Sequence, residues 1–228
     1  MIRPEGMITR AEVATIFFRL SSDELRTEAW SQTNPFGDVE LRHWFNNAVS
    51  TTANMGVFMG VSETSFAPNR QITRGELATV LVRFMDQGSI GQFAAPFAAG
   101  DQFSDIDGHW AQAYINRAAA EGWVQGRHGL GGPFEPDAPI SRAETAAMIN
   151  RMFGRLVEGP SSLLPDMLAW PDNANPNAWY YLYMQMASNS YNYRPGVGTR
   201  YKELIRVIEA RNWAVLERPD SRPEDILG

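Results

Sequence analysis

Ile72-Thr73-Arg74-Gly75-Glu76 is written as a helix start, and the chain writes it twice more, as Ile8-Thr9-Arg10-Ala11-Glu12 and Ile140-Ser141-Arg142-Ala143-Glu144. In each, the Thr or Ser hydroxyl can accept from the N–H three residues on, while the Glu reaches back to the cap N–H. Such a cap stabilises a helix by about 1 kcal/mol. Thr, Ser and Glu are thereby explained. The arginine is not, because the helix dipole places partial positive charge at the first helical position and disfavours a cation there. Three copies in register point to free N–H groups, the dipole and a guanidinium aimed together at an anion. Replacing these arginines by Ala, a better helix former, is then expected to leave the helices folded.

The repeat is longer than the box. Phe36-Gly37-Asp38-Val39, His43-Trp44, Gly56, Gly60, Phe66 and Pro68 precede the second box; Phe103-Ser104-Asp105-Ile106, His109-Trp110, Gly122, Gly126, Phe134 and Pro136 precede the third. A shared order of elements at this period predicts stacked helix–loop–helix units. Asp38 and Asp105 are expected to cap a first helix carrying Trp44, Ala48 and Val49, or Trp110, Tyr114, Ile115 and Ala118, on its buried stripe. Gly56 and Gly122 fall where a left-handed helix stop is wanted. A second helix follows each box, with Val13, Ile16, Phe17 and Leu20, then Leu77, Val80, Leu81 and Phe84, then Met148, Ile149 and Met152 at helical spacing.

On these residues the chain resembles the S-layer homology family of bacterial cell-surface proteins. The resemblance rests on Phe-x-Asp-Val/Ile, His-Trp, Gly-x-x-x-Gly, Phe-x-Pro and the Thr-Arg-Ala-Glu box in that order, and covers about residues 5–153. It implies an all-α, pseudo-threefold domain of three repeats, whose inter-repeat grooves bind a pyruvylated secondary cell wall polysaccharide and so anchor the protein to the wall. A ketal pyruvate is a carboxylate on a sugar, the kind of anion the misplaced arginines suggest.

The repeats do not come out even. The reading is residues 1–34 as the second half of a first repeat, 35–100 as a second, 101–160 as a third, 161–193 as a degenerate first half of a fourth, and 194–228 as a C-terminal helix and tail. Trp179, Met184 and Ala187 keep the offsets of Trp110, Ile115 and Ala118, but Tyr191 stands where the glycine belongs and no arginine box follows. A half repeat at each end suggests circular permutation, with helix 178–190 docked on helix 9–20 and Trp179 buried against Val13, Ile16 or Phe17. The rival is a plain array with an appended C-terminal subdomain. Thr199 is read as the cap of a short helix carrying Leu204, Ile205, Val207 and Ile208. Gly91–Gly100 is expected on the surface of a prong.

With 26 acidic against 20 basic residues and a net charge of −6, there is no electrostatic footprint for nucleic acid. No apolar run approaches the length needed to cross a bilayer, so membrane insertion is not expected. Met1 is followed by no signal-type stretch, so an exported native protein would contribute this chain as an internal or trimmed piece. The absence of cysteine excludes disulfides and thiolate chemistry. There is no Gly-x-Ser-x-Gly elbow, phosphate loop or His-Glu-x-x-His, and a glycosidase carboxylate pair cannot be chosen from sequence. Asp105-Ile106-Asp107-Gly108 lacks the later ligands of a calcium loop. His43, His109 and His128 share no helix face, so neither metal, cofactor nor catalytic residue is expected.

The candidate ligand-binding set is therefore Arg10, Arg74 and Arg142 with box partners Thr9, Thr73, Ser141, Glu12, Glu76 and Glu144. To it are added Trp44, Trp110 and Trp179, read equally as core or as sugar platforms, then Asp38 and Asp105, and Gly56 and Gly122, whose loops bring backbone N–H groups near a ligand. Arg19, Arg83 and Arg151 lie nine residues after the first arginines, on the opposite helix face, and read as structural partners of carboxylates. The expectation is a monomeric, non-catalytic module of a larger secreted surface protein, binding an anionic wall glycan. Two alternatives are a protein-interaction module using the six aromatics between Trp179 and Tyr193, and an accessory domain of a wall-glycan enzyme.

Overall fold

A computed structural model describes residues 1–86, 103–127 and 132–226; the Gly91–Gly100 segment and His128 lie outside them. The described chain is mostly helical, with α1 (Arg10–Leu20), α2 (Asp23–Glu28), α3 (Asn46–Asn54), α4 (Arg74–Met85), α5 (Gln112–Ala120), α6 (Arg142–Met152) and α7 (Tyr181–Ser188). One antiparallel ribbon, β1 (Tyr191–Pro195) and β2 (Lys202–Val207), follows. The expected helix after Thr199 is thus a strand, and the fold is not purely α. Leu204 and Val207 are apolar in either geometry. The Pro195-Gly196-Val197-Gly198 turn returns the chain onto Tyr191–Pro195, so cross-strand pairing prevails over a short isolated helix.

All three boxes form. Thr9, Thr73 and Ser141 each accept from the N–H of the Glu three residues later, and each Glu accepts from the cap N–H. Gly56 and Gly122 take φ of +73° and +74° just beyond α3 and α5, the left-handed stop that a glycine adopts without strain.

Asp38 and Asp105 do not cap α3 and α5, which begin without a side-chain cap. Each carboxylate reaches nearly thirty residues ahead to hold the Phe-x-Pro turn: Asp38 accepts from Ser65 Oγ and the N–H groups of Phe66 and Ala67, all at 2.8 Å, and Asp105 from those of Phe134 and Glu135, both at 2.7 Å. Ala67 and Glu135 have φ of +55° and +57°, so the carboxylates stabilise a backbone that non-glycine residues rarely adopt. Asp172 does the same at a distance of 169 to 170 residues, accepting from Ile2 N–H at 3.1 Å and Arg3 N–H at 2.7 Å, with Arg3 at φ +48°. Ile2-Arg3-Pro4 is therefore a third such turn, and the degenerate fourth half-repeat meets the opening of the chain there.

Helix pairing corrects the expected docking. α3 packs on α1, α5 on α4 and α7 on α6, so the first helix of each repeat packs on the second helix of the repeat before it. Trp179 stands 58% exposed rather than buried on Val13 or Phe17, whose cover comes from the main core. Edge-on rings carry that core across the units, Phe17 to Phe84 at 5.0 Å and Phe84 to Phe153 at 6.0 Å. The tail returns to the first pair: Leu216 is buried with Phe18 and Ala48, and Asn47 Nδ2 donates to the carbonyls of Leu216 and Arg218.

The segments entering the boxes join centrally. Ile8 N–H donates to Ile140 O (3.3 Å), Ile140 N–H to Ile72 O (3.2 Å) and Ile72 N–H to Ile8 O (3.1 Å), a closed cycle of hydrogen bonds.

Candidate functional site

The N–H groups at the start of each helix are engaged. Arg10 and Ala11 N–H donate to Arg70 O and Pro68 O, Arg74 and Gly75 N–H to Ala138 O and Pro136 O, and Arg142 and Ala143 N–H to Gly6 O and Pro4 O, at 2.8–3.0 Å. The third N–H goes to the capping hydroxyl. Backbone carbonyls thus sit where the sequence suggested an anion.

The guanidinium groups resolve the dipole conflict by reaching away from their own helices to the next box. Arg10 Nη1 meets Glu76 Oε1 at 2.9 Å, Arg74 Nη1 meets Glu144 Oε1 at 3.0 Å, and Arg142 Nη1 meets Glu12 Oε1 at 2.8 Å. Every box Glu divides its oxygens, Oε2 closing its own cap and Oε1 receiving the neighbour's arginine. Arg10 also donates to Phe66 O and Met59 O, and Arg74 to Phe134 O and Gln125 O, each lying over the Phe ring concerned. Burial draws the Arg10 and Arg74 pKa values down, with Glu76 and Glu144 opposing. Burial pushes Glu144 upward, but the Ser141 N–H and Arg74 together hold it below the ordinary carboxylate range. Arg142 is the outlier, its side chain 33% exposed against 3–4% for the other two.

Beside the Arg74–Glu144 pair opens a cavity of about 540 Å³. Arg127 and Arg151 supply cations to its lining, together with Trp179, Gln125 and Gly126. Arg127 Nε lies 3.3 Å from Glu144 Oε1. Arg151 lies over the Tyr183 ring and donates to its hydroxyl at 3.2 Å. The nine-residue offset that opposes Arg142 and Arg151 on α6 lets that helix face two seams: Arg142 turns to Glu12, and Arg151 to the Arg74 cavity.

Trp44, Trp110 and Trp179 are 51%, 59% and 58% exposed, each two residues before its helix, so burial does not account for them. At the seam of Arg10 and Glu76 the corresponding residues are Arg83, over the Tyr114 ring, and Trp110. At the seam of Arg142 and Glu12 the tyrosine position is Ala48, and Arg19 instead contacts Glu217 and lies over Trp213 of the tail. Gly126 rather than Gly122 lines the cavity, while Gly56 and Gly122 serve as helix stops. Asp38 and Asp105 act one step back, by holding the turns whose Phe carbonyls receive Arg10 and Arg74. Arg127 was the missed residue; its signal was its place directly after the second glycine of the repeat.

His109 Nδ1 accepts from Ala111 N–H, and among the described residues no cluster of three metal-ligating side chains occurs. No helix of the described chain is long and apolar enough to cross a membrane.

Residues 35–78 and 102–146 match the S-layer homology domain model. The chain carries S-layer homology repeats. It is 35% identical over 155 residues to a cellulosome-anchoring protein of Acetivibrio thermocellus, covering 68% of this chain and 34% of that protein. It is 35% identical to cell surface glycoprotein 1 of the same organism (72% and 7% covered), and 36% identical to a surface-layer 125 kDa protein of Lysinibacillus sphaericus (65% and 12%). The S-layer homology chain thus spans about a third of the first relative and far less of the others.

Proposed function

We propose that the chain is a non-catalytic anchoring module of a bacterial cell-surface protein, with three helix pairs about a pseudo-threefold axis and an anionic, pyruvylated wall polysaccharide bound in the seams between them. The cycle of Ile8, Ile72 and Ile140 bonds and the matching cycle of Arg–Glu pairs support the threefold reading. The observation that carries the binding reading is the cavity at Arg74 and Glu144, where exposed Trp179 offers a pyranose-sized face beside Arg127 and Arg151. In this reading the Thr/Ser-Arg-Ala/Gly-Glu termini frame the grooves and fix their spacing. Arg74 and Glu144 form the inner wall, Arg127, held by Glu135 at 2.7 Å, Pro139 O at 3.1 Å and Glu144 at 3.3 Å, adds positive charge, and Arg151 receives the carboxylate. The names of the relatives, an anchoring protein and two surface proteins, agree with a place at the bacterial wall.

Arg151→Gln and Trp179→Ala test it by co-sedimentation with purified walls. Trp179 is 58% exposed and Arg151 is not buried, so melting should stay near wild type. Affinity of that groove should fall about tenfold or more, the equivalent of one charge-assisted bond. Undiminished sedimentation of the double variant would refute this groove as the site.

A further inference from the structure

A second cavity, of about 460 Å³, lies where α6 faces α1 and the ribbon closes over both. Its walls are mainly apolar, with Ile8, Ile16 and Leu20 on one side and Ile149 and Met184 on the other. It shares Arg142 with the seam of Arg142 and Glu12, and its other polar groups are its own. At the fourth position of the box helices, α1 and α4 carry the fully buried Val13 and Leu77; α6 carries Thr145, 1% exposed, whose hydroxyl has no hydrogen-bond partner among the described residues. At the ninth position, Phe18 and Val82 give way to Asn150.

Two more residues that line the same cavity carry a buried, unpartnered atom, Arg155 at Nε and Tyr191 at its hydroxyl. Arg155 makes no ion pair with any described carboxylate; its guanidinium rests over the Phe153 ring. Burial pushes the Tyr191 phenol up to about 12, so it stays a neutral donor at physiological pH. An unpaired buried donor is costly, and three on one apolar cavity are unusual in a native fold. All three can donate, one is cationic, and a volume of this size falls in the range of small-molecule sites.

We propose that this cavity binds a small aliphatic carboxylate, its chain among Ile16, Leu20, Ile149 and Met184, its carboxylate received by Arg155, Tyr191 and Thr145. The site draws on β1 and the segment after α6, outside the matched repeats, and is separate from the Trp179 groove. Calorimetric titration of the full chain with octanoate, octan-1-ol and octylamine tests it without any variant. Octanoate should bind and raise the melting temperature, octan-1-ol should bind at least tenfold more weakly, and octylamine should not bind. Arg155→Gln should weaken octanoate at least tenfold while leaving octan-1-ol unchanged. Thr145→Val, which restores the residue type of Val13, should keep the fold and weaken octanoate. Equal binding of octanoate and octan-1-ol, or no octanoate binding, overturns the proposal, the latter leaving a cavity that holds only water.

Discussion

Arg74→Ala should unfold this protein more readily than Arg142→Ala, although the two residues hold the same place in the repeat. The Arg74 side chain is 3% exposed and gives three hydrogen bonds, to Phe134 O at 2.7 Å, Gln125 O at 2.9 Å and Glu144 Oε1 at 3.0 Å. Its loss leaves two carbonyls short of a donor and Glu144, 18% exposed, without its closest cation. Removing one partner of a buried ion pair costs about 3–5 kcal/mol. In a protein of this size that is a fall in melting temperature of about 6–20 °C. Arg142 and Glu12 are 33% and 35% exposed, a setting in which an ion pair contributes about 1 kcal/mol or less, a fall of at most about 4 °C. Scanning calorimetry of the two variants reads the difference. Equal shifts, or an Arg74→Ala melting temperature within a degree of wild type, would refute the structural role given to the buried arginines.

The tail should matter to the first helix pair: Leu216→Ala removes a side chain buried with Phe18 and Ala48 and should cost about 2–3 kcal/mol, read from the urea midpoint. Truncation after Phe153 removes both Leu216 and Met184, which is buried with Ala143 and Ala146, and should give partial melting or aggregation by light scattering. Glu12, Glu144 and Asp38 are held below the ordinary carboxylate range, and Asp23, bonded chiefly by Arg211, lies at about 2. Depressed folded values stabilise above the unfolded pKa, so stability should hold from neutrality to about pH 4.3 and then fall with further acid. A urea midpoint that rises between pH 5 and pH 3 would contradict this. Asp172→Ala should speed amide exchange at Ile2 and Arg3, since the carboxylate bonds both N–H groups.

The capping boxes, the glycine stops and the repeat order were legible because they are local, each partner lying within a turn. Asp38 was misread because a helix start stands close by in sequence, whereas its true donors, Phe66 and Ala67, are set only by the fold. The arginines posed a real puzzle with a non-local answer. The box Glu has two oxygens and its own cap uses one, so the second was available to a neighbour's cation. The docking of helix 178–190 on helix 9–20 was misassigned because the two half repeats were taken to complete one another, while the fold packs the first helix of a repeat on the preceding unit. Leu204 to Val207 carried no period that distinguishes a short strand from a short helix, and only the return at Pro195–Gly198 decides it. Arg83 and Arg151 were read as structural from their spacing; their tyrosine partners, four residues after Trp110 and Trp179, needed coordinates to appear.

The central claim is recognition of a pyruvylated wall glycan, and co-sedimentation with two wall preparations tests it most directly. One comes from cells that add the ketal pyruvate and one from cells that cannot. The folded, wild-type chain should be retained by the first and remain in the supernatant with the second. Salt should weaken the retention only in part, because charges in a groove are screened less than those on open surface. Equal retention by ketal-free walls would contradict the account and turn attention to a protein partner for the aromatic segment from Trp179 to Tyr193.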